Sequence, residues 1–283
     1  MTGTTRRALL GGALVAALCP RVAAARAVDK IKAEGVVRIA VYRDFEPWSW
    51  AGADGRFTGI DVDLGQAVAK ALGVRAQIVD FMADEDVGDD LRNMVWRGSL
   101  VGGTLCDIMM HVPVDRQLAL ANDRAVIGAP YYREGFLIAC GPDTDCEVAP
   151  PAFKGKRLVA ELDSIPDFYF SGGFGGVLRA DTRHLPSGAA AVAAVTEGDA
   201  DVVVATRAQI EHAKAGGGER LKVRHGPIPA MPSAGWDVGL AVKDDSRDLA
   251  DALDGIVAGF RKDGTIDAIL ARYGVAPHPP IAS

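Results

Sequence analysis

The chain has 283 residues, 31 lysines and arginines against 37 aspartates and glutamates, a formal charge of −6 at pH 7, and 49% hydrophobic residues. That acidic balance argues against nucleic acid or an anionic membrane surface as a partner. The length suffices for two modest domains, each with its own buried core.

The first 27 residues read as an address. Arg6 and Arg7 precede the apolar run from Ala8 to Leu18, and small residues offer a cleavage site near Ala25-Arg-Ala27. The run is too short for a bilayer-spanning helix, which needs about 20 apolar residues. The paired arginines fit the twin-arginine route, and ordinary secretion fits almost as well. Cys19 follows Leu18, where lipoprotein processing requires a small residue, so no lipid anchor is expected. Cleavage after Ala27 removes four arginines and no acid, moving the formal charge from −6 to −10.

Gly35-Val-Val-Arg-Ile-Ala-Val41 predicts a first strand, Tyr42 to Trp50 a loop, and Gly52 to Gly55 a turn. Ile60, Leu64, Ala67, Val68, Ala71 and Leu72 recur at helical spacing, with Gly73 as the stop. Arg75 to Val79 is the next strand, so the opening favours a parallel sheet with right-handed crossovers. The acidic run from Met82 to Asp90 leads into a helix around Leu91 to Trp96, where the helix dipole favours acids. Its five carboxylates also leave open a hard-cation site, although the spacing is not that of an EF-hand.

Cys106-Asp-Ile-Met-Met110 suits a strand covered on both faces, ended by Pro113. Pro130 restricts the residue before it, so Tyr131 to Ala139 is expected to begin a new strand where the backbone crosses between two lobes. Cys140 and Cys146 bracket a turn-rich segment and are candidates for a disulfide in an oxidising compartment. Cys106 reads as a buried inert thiol, with a reactive or metal-binding thiol as the alternative.

Lys156 to Ala160 is a predicted strand, and Asp163-Ser-Ile-Pro-Asp167 a helix start with Pro166 in its first turn. The backbone N–H groups there would face the cleft and suit an anionic ligand group. Ser171 to Gly176 has neither nucleotide-fingerprint spacing nor a P-loop lysine and reads as a flexible turn. Ala189 to Val195 reads as helix, Ala200 to Ala205 as a buried strand, and Leu221 to His225 as a short strand. Trp236 to Val242 is extended, followed by a helix from Ser246 to Lys262, a break at Asp263-Gly264, and a last helix from Ile266 to Tyr273. The segment near Trp236 pairs with the one near Phe136 as a second crossing, and two crossings make a hinge.

Asp44-Phe-Glu-Pro-Trp48, Gly59-Ile-Asp-Val-Asp-Leu64, Ala129-Pro-Tyr-Tyr132, Gly198-Asp-Ala-Asp-Val-Val203 and Lys262-Asp-Gly-Thr265 occur in a recognisable order. That order resembles the periplasmic solute-binding proteins of family 3, the polar amino-acid type served by ABC transporters. The resemblance implies an α/β fold of two Rossmann-like lobes joined by a two-segment hinge, the type II periplasmic binding protein architecture. It implies residues 1–27 as signal peptide, 28–134 with 236–283 as a discontinuous first lobe, and 135–235 as the second. It also implies a periplasmic location, a small-molecule solute in the cleft, an ABC permease as partner, no cofactor, and no membrane insertion after cleavage.

Site residues carry over one at a time. Phe45 matches the aromatic that stacks on ligand, with plain packing as its other role. Trp48 and Trp50 would line the cleft mouth or cover the lobe core. Arg116 stands in the Asp-Arg dipeptide of the arginine that clamps a ligand carboxylate, although the stretch from Asp107 is a few residues shorter than the family's. His111 lies near the cleft by its place after the strand. Ser164, beside Asp163, replaces the usual threonine on the second lobe, and Thr206 occupies the place of the acid that meets the ligand ammonium. A hydroxyl cannot replace that charge, so the recognition set for an α-amino acid is incomplete.

The run Cys-Asp-Ile-Met-Met-His-Val-Pro before Pro-Tyr-Tyr-Arg is also similar to binding proteins associated with periplasmic quinoprotein alcohol dehydrogenases, including the J-type accessory protein of methanol dehydrogenase systems. That likeness implies an alternative in which the partner is the dehydrogenase rather than a transported solute. No nucleophile elbow, zinc helix or P-loop is present, and His111, His184, His212, His225 and His278 lack metal-ligand spacing, so no catalysis is expected.

Overall fold

The computed structural model describes residues 28–99, 102–218 and 220–281. The expected export signal and Cys19 lie outside the described residues. No described helix is long and apolar enough to cross a membrane.

The chain begins with α1 (Val28–Glu34) and β1 (Val36–Tyr42), then a small hairpin of β2 (Trp50–Ala51) and β3 (Phe57–Thr58). α2 (Ile60–Leu72) buries its apolar stripe and ends at Gly73, whose φ of 76° is the left-handed stop that glycine makes cheaply. β4 (Arg75–Phe81) returns parallel to β1 in unbroken register. α3 (Val87–Leu91) begins earlier than the sequence suggests, because Asp86 caps it by accepting the Asp89 N–H at 2.9 Å. A π-helical turn, Arg92–Trp96, occupies the stretch expected to be the helix itself.

β5 (Ile108–Pro113) lies beside β1, parallel to it, and is followed by α4 (Arg116–Ala121). Instead of one strand from Tyr131, β6 (Ala125–Glu134) and β7 (Phe136–Cys140) are separated by Gly135 alone. Pro130 is tolerated inside β6 because β6 is an edge strand and because its register slips there. Ala129, Pro130 and Tyr131 together oppose the single residue Gly239.

β8 (Leu158–Glu161), α5 (Ile165–Ser171), β9 (Thr182–Leu185), α6 (Gly188–Thr196), β10 (Val202–Thr206), α7 (Arg207–Ala215) and β11 (Lys222–Val223) follow. The glycine-rich stretch after α5 is a left-handed turn, with φ of 53° at Phe174 and 70° at Gly175. The chain then returns through β12 (Trp236–Lys243) to α8 (Arg247–Asp263) and α9 (Thr265–Arg272), with Gly264 at φ 83° between them.

Two five-stranded mixed sheets result, in the orders β4-β1-β5-β12-β6 and β11-β7-β10-β8-β9. Both faces of each sheet are packed. In the first, Val37, Ile39, Val41, Leu64 and Leu253 fill one side, and Met109, Leu91 and Phe81 the other. In the second, Phe153 and Phe170 pack opposite a layer of Ala191, Val192 and Ile210. The backbone passes between the sheets twice, at Gly135 and ahead of Trp236, where Trp236 and Glu134 still pair across the strands. Cys140 and Cys146 form a disulfide that ties the end of β7 to the loop beyond it. Cys106 is buried, and burial pushes its thiol up to about 12.

Candidate functional site

Parallel strands direct their carboxyl ends toward a shared crevice, which is where open α/β sheets bind ligands. In this chain those ends meet around a cavity of about 570 Å³. Tyr42 ends β1, Phe81 ends β4, and His111 and Pro113 lie in the last half of β5. The opposite wall carries Glu161, the last residue of β8, and Pro186 just beyond β9, while Trp236 stands at the crossing. The cavity is therefore interlobe, with side chains from both sheets.

His111 occupies a β-bulge. Met109 pairs with Ala241 and Val112 with Gly239, so Met110 and His111 together oppose Leu240. Its φ of 61° is uncommon outside glycine, and a bulge is the usual device for re-aiming a side chain at a site. The ring sits between Phe45, at 4.8 Å edge-on, and Trp48, at 4.5 Å. Its Nδ1 is 3.2 Å from Asp61 Oδ2, and the Tyr131 hydroxyl donates to Asp61 Oδ1 at 2.6 Å. Asp61 is fully buried in the first turn of α2, where the helix dipole favours a carboxylate. A carboxylate accepts and does not donate, so Nδ1 carries the hydrogen, and the tautomer this selects has its lone pair on Nε2.

The wall contributed by the loop after β4 and by α3 is acidic. Asp90 is 3% exposed and accepts from the Tyr42 hydroxyl and from the Asp84 N–H, each at 2.8 Å. Burial raises its carboxyl above the ordinary range, and burial with the neighbouring Asp90 raises the Tyr42 phenol. Burial also raises Glu161, opposed by the Gly188 N–H it accepts at 2.9 Å. Arg43, the sole arginine or lysine on the lining among the described residues, is held by Asp80 at 2.6 Å. Among the described residues no three His, Cys, Asp or Glu side chains converge as a metal site.

Of the predicted site residues, Phe45 and His111 meet on the cavity lining. Trp48 is fully buried behind them against Tyr131 and Tyr132. Trp50 packs on Tyr273 and His212. Arg116 is exposed on the first turn of α4, off the lining. Ser164 caps α5, its Oγ donating to the Glu161 carbonyl at 2.6 Å and accepting from the Asp167 N–H at 3.2 Å. Thr206 caps α7 in a reciprocal box with Gln209. Asp61, Asp90, Glu161 and Trp236 were missed as site residues. Asp61 carried a signal only as an acid at a helix start, and the others come together through tertiary structure.

Residues 37–93, from β1 through the acidic wall, match the model of bacterial extracellular solute-binding proteins, family 3. The likeness to family 3 is thus carried by the first strand, the helix after it and the acidic wall. The L-cystine-binding protein TcyJ of Escherichia coli K12 is similar, 24% identical over 251 residues that cover 87% of this chain and 85% of that one. A shorter likeness links the chain to cyclohexadienyl dehydratase of Pseudomonas aeruginosa, 36% identical over 52 residues, 18% of this chain and 19% of the enzyme. Among solved structures, an ancestral cationic amino acid solute-binding protein superposes with a TM-score of 0.67 at 20% identity, covering 87% of this chain and 99% of that one. That likeness shows the type II periplasmic binding protein fold.

Proposed function

We propose that the protein captures a small polar solute of the amino-acid class between its lobes, in the periplasm, and presents it to an ABC importer. The interlobe cavity carries this reading: a concave, partly aromatic site at the strand ends, walled from both sheets and flanked by a two-strand crossing. Residues 28–134 with 236–283 then form one lobe and 135–235 the other, closing on the solute about Gly135 and the segment before Trp236. TcyJ, a binding protein by name, supports capture without turnover, and the match to the dehydratase is confined to one short stretch.

The test is thermal shift of the mature chain against amino acids, amines, organic acids and metal ions. A solute at 100 times its dissociation constant stabilises by about 2.7 kcal/mol. One saturable hit, recovered chemically unchanged after prolonged incubation, is expected. Silence across the panel, or conversion of the hit, would overturn the reading.

A further inference from the structure

We propose that this cavity selects an organic cation, with His111 Nε2 accepting a hydrogen bond from the solute and the acidic wall supplying the countercharge, so that a carboxylate on the solute is dispensable. This rests on the solute-binding reading above and narrows it.

The first observation is the charge of the lining. Asp44, Asp84, Glu85, Asp86, Asp90 and Glu161 face the cavity, and the one lining arginine is already paired with Asp80. An anionic solute, or the anionic end of a zwitterion, meets no unpaired lysine or arginine on this surface among the described residues. Arg116, which the family resemblance casts as a carboxylate clamp, stands off the lining on α4.

The second observation is independent of charge. His111 is 6% exposed and lines the cavity, yet only Nδ1 has a partner among the described residues. With Nδ1 turned inward to Asp61, the opposite nitrogen faces the cavity. An acceptor open to the cavity and without a protein partner is free to take a donor from a solute. The bulge that turns His111 and the Asp61–Tyr131 pair that holds its tautomer keep this lone pair in place. An ammonium or guanidinium N–H fits it, and the aromatic ring of Phe45 lines the same cavity.

Isothermal titration of the mature chain with arginine, its decarboxylated analogue agmatine, putrescine and glutamate tests this. Agmatine is expected to bind within about threefold of arginine, and glutamate not to bind. His111→Asn tolerates positive φ but withdraws the acceptor at the Nε2 position, and Glu161→Gln removes a charge while keeping an oxygen for Gly188. Each is expected to weaken agmatine about tenfold or more. The two variants are independent, so a folding defect in His111→Asn, read by its melting curve, leaves Glu161→Gln to decide. Arginine binding with agmatine silent, equal binding of glutamate, or agmatine affinity within twofold of wild type in Glu161→Gln would overturn this inference and leave solute capture standing. Failure of every probe here and in the wider panel would overturn both.

Discussion

Glu134 lies at the crossing between the lobes, 1% exposed. Its Oε1 accepts the Gly135 N–H at 2.8 Å and the Arg207 N–H at 3.1 Å, while Oε2 has no partner. Burial raises its carboxyl to about 8, against the opposing pull of the Gly135 N–H, the Arg207 charge and the Ala208 N–H, with Glu211 adding a small push in the same direction as burial. In the unfolded chain the group ionises above about 4.5, whereas in the fold it stays protonated until about 8. The unfolded state therefore sheds the proton first, and stability falls as pH rises across that window. At about 1.36 kcal/mol per pH unit, the loss reaches about 5 kcal/mol by pH 8. Glu134→Gln keeps the accepting oxygen and cannot ionise. Urea unfolding from pH 5 to 8.5 should give a variant close to wild type at pH 5 and more stable by several kcal/mol at pH 8. Wild-type and variant stabilities that run parallel across this range would refute the argument.

Three further outcomes are expected. Arg116→Ala, at an exposed position off the cavity, should leave solute affinity within twofold and stability within about 0.5 kcal/mol; a tenfold loss of affinity would return the residue to the site. Gly59→Ala should cost about 3 kcal/mol in a thermal melt, because φ is 130° and the added Cβ would lie 2.2 Å from the Trp48 carbonyl oxygen. An unchanged melting temperature would contradict that geometry. Replacing Cys140 and Cys146 by serine should cost about 2 kcal/mol, the loop-closure entropy of a bond six residues apart. Intact mass with and without reductant should differ by two protons in the wild type alone.

Much of the fold was legible because burial on both faces leaves continuous apolar runs. β1, β8, β10 and β12 all stand out in this way, and Asp263-Gly264 marks the break between the last two helices. β9 escaped because Thr182-Arg-His-Leu185 is a half-exposed edge strand with no apolar alternation, and α7 because its stripe is interrupted by charge. The site was legible only where it touched a strand end. Phe45 follows β1 closely in sequence and His111 lies in the last half of β5, so chain position placed them near the cleft. The link between His111 and Asp61 spans 50 residues and leaves no local mark. Ser164 and Thr206 also lie near strand ends, but their hydroxyls are committed to helix caps. The acidic run reads as acids favoured by a helix dipole, with a hard-cation site left open; Asp86 caps that helix, and its neighbours also wall the cavity.

β12 lies between β5 and β6, two strands made more than a hundred residues earlier. During synthesis the first sheet is therefore left with a gap until residues 236–243 emerge, whereas the second sheet is complete by Val223. The second lobe can condense from contacts within one contiguous stretch, while the first must wait for its inserted strand, a long-range pairing of the kind that folds slowly. A nascent chain stopped short of Trp236 would hold one finished lobe and one held open. Such a delay leaves the first lobe unclosed until the last sixth of the chain has begun to emerge.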